Sequence, residues 1–167
     1  MKQHLSTLSR YNVWANRRMG QYLLEAGPVI ADEPLNSSFP TIRKTLYHLW
    51  DAQVIWYKRL MGTSVNAWPS QGFTGSLEEA VSAVNTNSDD FVNFCENLKE
   101  NGEHALITFH SLDGTAYQNT IEEIILHVMN HSTYHRGQLI TMLRSAGFTA
   151  VGSTDLIRFY RDPVNKK

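Results

Sequence analysis

With a single cysteine, Cys95, in 167 residues, the chain can form no internal disulfide, and a reducing cytoplasm is the natural compartment. Phe91, Phe94 and Leu98 surround that cysteine at helical spacing, which makes it a small core hydrophobe rather than a nucleophile. Long apolar runs are missing as well. The longest, Ile124 to Met129, is broken by His127 and falls far short of the ~20 residues a bilayer span requires. The opening MKQHLSTLSRYNVW has no apolar stretch behind its positive end, so no secretory signal is expected. Neither sign of charge is in excess: 15 Lys and Arg against 16 Asp and Glu leave a net charge of -1. That balance argues against nucleic-acid binding and against a membrane-surface role, both of which show as clustered Lys and Arg. There is no Ser-His-Asp order, no phosphate-cradling glycine loop and no zinc-ribbon cysteine set.

What is present is ordinary globular composition, 42% apolar and 19% charged. It suits one domain over residues 1–167 that buries about 70% of its unfolded surface. Leu5, Leu8, Ala15, Met19, Tyr22 and Leu23 form one helical stripe that closes near Gly27-Pro28. After a loop from Pro28 to Pro40, with Pro40 in the first turn, a second helix carries Ile42, Leu46, Leu49, Trp56 and Leu60 and stops at Gly62. Thr63 to Gly75 reads as a loop, with Trp68 folding back onto the core. Ser76-Leu77-Glu78-Glu79 has the capping-box form and opens a third helix that should reach Asn101. Ala105 to Asn119 reads as a hairpin about a type I′ turn at Asp113-Gly114. A second capping box, Thr120-Ile121-Glu122-Glu123, opens the longest helix, which runs to Gly147. Asp155 to Tyr160 suits a short terminal helix, and Pro163 to Lys167 should fray. The sum is an all-α four-helix bundle with a small β-hairpin between helices three and four.

The chemistry concentrates on helix four. His127, His131 and His135 recur every four residues within HVMNHSTYHRGQL. Each such step turns a side chain by only about 40° and advances it about 6 Å, so neighbouring rings in the row reach a common point. Two imidazoles from one helix leave a divalent ion under-coordinated, and a facing helix must supply a third. His48, inside the apolar run LYHLWDAQVIW, is the best placed donor, since His4 lies at the terminus and His104 and His110 flank the hairpin.

These residues carry a resemblance. Tyr11-Asn12-Val13-Trp14-Ala15-Asn16, TLYHLWDAQVIW, and above all HVMNHSTYHRGQL followed by LRSAG resemble the DinB family of damage-inducible, metal-binding bundle proteins. The resemblance implies an up-down-down-up bundle, often a homodimer, with a divalent ion held by one histidine of helix two and two of H-x-x-x-H-R-G-Q. By position these are His48, His131 and His135, the three that spacing selects. Zinc and nickel head the candidate ions, with manganese and iron behind them. The resemblance further implies a small-molecule substrate and chemistry with a low-molecular-weight thiol such as bacillithiol, mycothiol or glutathione, as in related transferases and isomerases. A metal-dependent hydrolase or thiol S-transferase is therefore expected, with a non-catalytic, homodimeric metal-binding stress protein as the alternative. His127 lies outside the motif and one turn beyond Glu123, which suits a supporting role. Arg136 and Gln138 are assigned no chemistry, Arg136 being a bundle or dimer contact. Trp14, Trp50, Trp56 and Tyr57 are expected to pack, and Asp51 to be a solvated carboxylate.

Overall fold

Two reciprocal caps start two of the long helices. Glu79 N donates to Ser76 Oγ and Ser76 N to a Glu79 carboxylate oxygen, and Thr120 and Glu123 repeat the exchange, each satisfying amide groups that a helix N-terminus would otherwise leave unpaired. A computed structural model describes residues 1–63, 67–111 and 113–163. Its elements are α1 (Lys2–Asp32), α2 (Ile42–Leu60), α3 (Leu77–Glu96), β1 (Leu106–His110), β2 (Ala116–Thr120), α4 (Ile121–Ser145) and α5 (Leu156–Arg161). The antiparallel hairpin pairs Leu106 with Thr120 and His110 with Ala116.

Element boundaries depart from the sequence reading at four places. The chain stays helical to Asp32, but Gly27 breaks α1 at φ 83 and Pro28 begins a second short helical stretch; a positive φ is free for glycine, and proline is preset for a first turn. Pro40 lies outside α2, whose cap is Thr41, accepting from Lys44 N at 3.1 Å. α3 stops at Glu96, five residues early. Asn97 donates from its side chain to the Asn93 carbonyl at 2.8 Å, and Asn101 turns left-handed at φ 58 into a 3₁₀ turn over Gly102–His104. β1 ends at His110 and β2 begins at Ala116, so the hairpin does not close on a two-residue type I′ turn, and the Asp113 carboxylate accepts from Ser111 Oγ and from Thr115 N. Part of the expected 63–75 loop, residues 64–66, and the expected frayed end, residues 164–167, lie outside the described residues.

α1 and α2 each pack against both α3 and α4, so the order round the bundle is α1–α3–α2–α4. Two apolar clusters fill it. One gathers Met19, Leu23, Ile42, Leu49, Val81 and Leu139; the other gathers Leu5, Leu60, Phe91, Cys95, Ile124 and Val128. Between them, on every helix, sits a buried polar residue: Asn12 and Asn16 on α1, Gln53 on α2, Ser88 on α3 and Arg136 on α4. The Arg136 guanidinium donates to Asn12 Oδ1 at 2.5 Å and Asn16 Oδ1 at 2.8 Å. The two asparagine amides in turn donate to Gln53 Oε1 at 3.0 and 3.2 Å, and Ser88 Oγ accepts from Asn16 at 2.9 Å. Arg136 is thus a bundle contact, 1% exposed, and no carboxylate stands within ion-pair distance of it among the described residues.

Candidate metal centre

α2 and α4 face one another, and this contact brings the predicted histidines together. His131 Nε2 lies 3.1 Å from His48 Nε2 and 3.0 Å from His135 Nε2. His135 is buried and the other two are half-buried. Nitrogens ~2.0–2.1 Å from a zinc-sized ion and 90–110° apart are separated by about 3–3.4 Å, so the spacing fits a shared cation. Protonation would oppose that. Burial pushes the His131 imidazole down to about 3, with repulsion from His135, His48 and His127 adding to the effect, and burial also lowers His48 and His135. All three are therefore neutral imidazoles at pH 7, the form that ligates metals.

His135 is also held in one tautomer. The Gln138 amide donates from Nε2 to Ser38 Oγ and to the Tyr134 hydroxyl, both at 3.2 Å, which leaves its Oε1 facing His135 Nδ1 at 2.7 Å. A carbonyl oxygen only accepts, so Nδ1 carries the proton and Nε2 presents a lone pair. Phe39 stacks on His48 with ring centroids 4.6 Å apart and meets His135 edge-on at 6.0 Å. Tyr134 meets His135 from another side at 4.9 Å.

The remaining sequence candidates lie elsewhere. His127 is exposed, its ring 5.0 Å from Trp56 and 5.8 Å from His131. Glu123 is committed to the α4 cap and to Asn119, so it does not orient His127. Asp51 is not a solvated carboxylate: it is 6% exposed, and its two oxygens accept from Ser70 N at 2.7 Å and Ser70 Oγ at 2.6 Å. Trp14 packs on Tyr11 and Phe159, Trp50 on Tyr47 and Phe73, Trp56 on Phe109 and Tyr57 on Phe91. Trp68 does not join the core; it is 43% exposed beside His48, and Phe73 fills the core position instead. Gln138 and Phe39 were the residues the sequence left without a role. Only Gln138 carried a signal, three residues from His135 on the same helix face.

A four-helix bundle with three converging neutral imidazoles on two facing helices is a helical protein with a group that could hold a metal ion. The chain belongs to the DinB family, whose model matches residues 1–162. It is 29% identical over 151 residues to "Protein DinB" of Bacillus subtilis (strain 168), an alignment covering 86% of each chain.

Proposed function

We propose that His48, His131 and His135 hold one divalent cation and that the protein uses it to activate a nucleophile in thiol transfer or hydrolysis. The observation that carries this reading is the convergence of three ring nitrogens 3.0 and 3.1 Å apart, one of them fixed by Gln138. A cation bound there supplies Lewis acidity, lowering the pKa of a water or thiol beside it. Imidazole donors suit zinc and nickel, then iron and manganese.

Two cavities flank the cluster. One, of about 520 Å³, is lined by His48; the other, of about 510 Å³, by Gln138. Room for two small organic molecules supports transfer between a low-molecular-weight thiol and an acceptor over hydrolysis. The test is elemental analysis of protein purified without a histidine tag, then incubation of metal-loaded protein with a thiol and a chloro-arene or epoxide. Metal-dependent turnover that disappears in His135→Ala supports the enzyme. Metal uptake with no turnover across several thiols favours a non-catalytic, homodimeric stress protein of the cytoplasm.

A further inference from the structure

The two cavities differ in the charge of their walls. The one beside Gln138, formed by Leu35, Asn36, Tyr134, Thr141 and Met142 among others, has no side chain that is charged at neutral pH. The one beside His48 has Lys44 and Asp51. Asp51 is buried against the two donors of Ser70. Lys44, by contrast, is exposed, its Nζ 5.5 Å above the Tyr47 ring, and no carboxylate lies within ion-pair distance of it among the described residues, the nearby Asp32 being paired with Arg43. An ammonium held by an aromatic face rather than by a carboxylate at a cavity rim keeps N–H donors for an anion.

The rest of that wall mixes aromatic rings with Pro40, Ser70, Gln71 and Gly72. Phe39, Tyr47 and Trp68 line it, and Trp68 leaves 43% of its surface open, an apolar face that a flat ligand would cover. We propose that this cavity takes the planar, anionic part of the substrate. The ligand class is an aromatic or unsaturated carboxylate, its flat face on Trp68 beside Phe39 and its carboxylate on Lys44 Nζ, next to His48. That this ligand is a substrate rests on the metal-centred reading above; that the cavity binds it does not.

Ligand-observed NMR on metal-free protein with benzoate, benzyl alcohol and benzylamine tests the site, with a parallel zinc titration of the same samples by calorimetry. Benzoate is expected to bind about tenfold tighter than the neutral and cationic probes, the preference of one charge-assisted hydrogen bond. Lys44→Gln should erase that preference while leaving zinc uptake unchanged, and Trp68→Ala should weaken all three probes. Both side chains are exposed, so folding should survive either change. Equal affinity for the three probes, a benzoate preference that persists in Lys44→Gln, or no binding at the solubility limit of benzoate overturns the proposal. Zinc uptake without benzoate preference leaves the metal centre standing and removes the anion site. Benzoate preference without zinc uptake does the reverse.

Discussion

Gln138 decides which nitrogen of His135 is available. Replacing it with Leu removes the acceptor at 2.7 Å and frees both the tautomer and the ring, so zinc affinity by calorimetry should fall roughly 10–100-fold with the helical circular dichroism unchanged. Gln138→Glu keeps an acceptor and should recover most of the loss. The histidines were legible because one residue type repeats every four positions on one helix, a local pattern, and because His48 sits among apolar neighbours of a second helix. The groups around them were less so: Gln138 shows in the sequence only as a neighbour three residues from His135, its bond to Ser38 spanning 100 positions, and Phe39 meets His135 from a loop that has no period to read. Cys95 is a second case at this scale, fully buried, its thiol pushed up to about 11 by burial. A thiol with an ordinary value near 9 when unfolded loses its proton first in the unfolded chain. Its contribution to stability is thus present below pH 9 and is lost as pH rises toward 11. Urea titrations from pH 8 to 11 should show that alkaline decline, of order 2 kcal/mol, flattened in Cys95→Ala after allowance for that variant's lower baseline.

The helices show why boundaries are harder to read than stripes. Caps built from neighbouring residues, Ser76 with Glu79 and Thr120 with Glu123, were plain in the sequence. Proline was a weaker guide: Pro28 restarts a helical stretch, and Pro40 yields the start of α2 to Thr41. The end of α3 was overestimated because its stop is made by the Asn97 side chain hydrogen bonding to the Asn93 carbonyl, which interrupts no apolar pattern. One close approach between elements is sharp enough to test. A Cβ added at Gly20 on α1 would come 2.5 Å from Val81 Cγ1 on α3, and a valine in a helix has little rotamer freedom with which to retreat. Gly20→Ala should cost about 1–3 kcal/mol in urea unfolding despite the better helix propensity of alanine. Between α1 and α4, Arg136→Met strips the donor from two buried carbonyls, Asn12 Oδ1 and Asn16 Oδ1. A loss of about 2–4 kcal/mol is expected by the same measurement.

For the whole molecule, a cation that binds only the folded chain stabilises it by mass action. Zinc at 100 times its dissociation constant contributes about 2.7 kcal/mol, a rise in Tm of roughly 5–10 °C for a chain of this size. His48→Ala should abolish that shift. Sedimentation at micromolar concentration should give a mass near twice 19.0 kDa, the dimer that the family resemblance implies. The bundle and its hairpin were legible as an architecture because four amphipathic stripes and two β-favouring pieces leave few arrangements. The polar layer at its centre was not, because Asn12, Gln53 and Ser88 each look solvent-seeking alone and meet one another and Arg136 only in the fold, where Gln53 Nε2 and Arg136 Nε still lack a partner among the described residues. That network ties the four helices together through α1. α1 cannot swing out without stranding hydrogen bonds to α2, α3 and α4, so backbone amides beside Asn16, Gln53, Ser88 and Arg136 should exchange with deuterium at a common slow rate, through rupture of the entire bundle rather than fraying of a single helix.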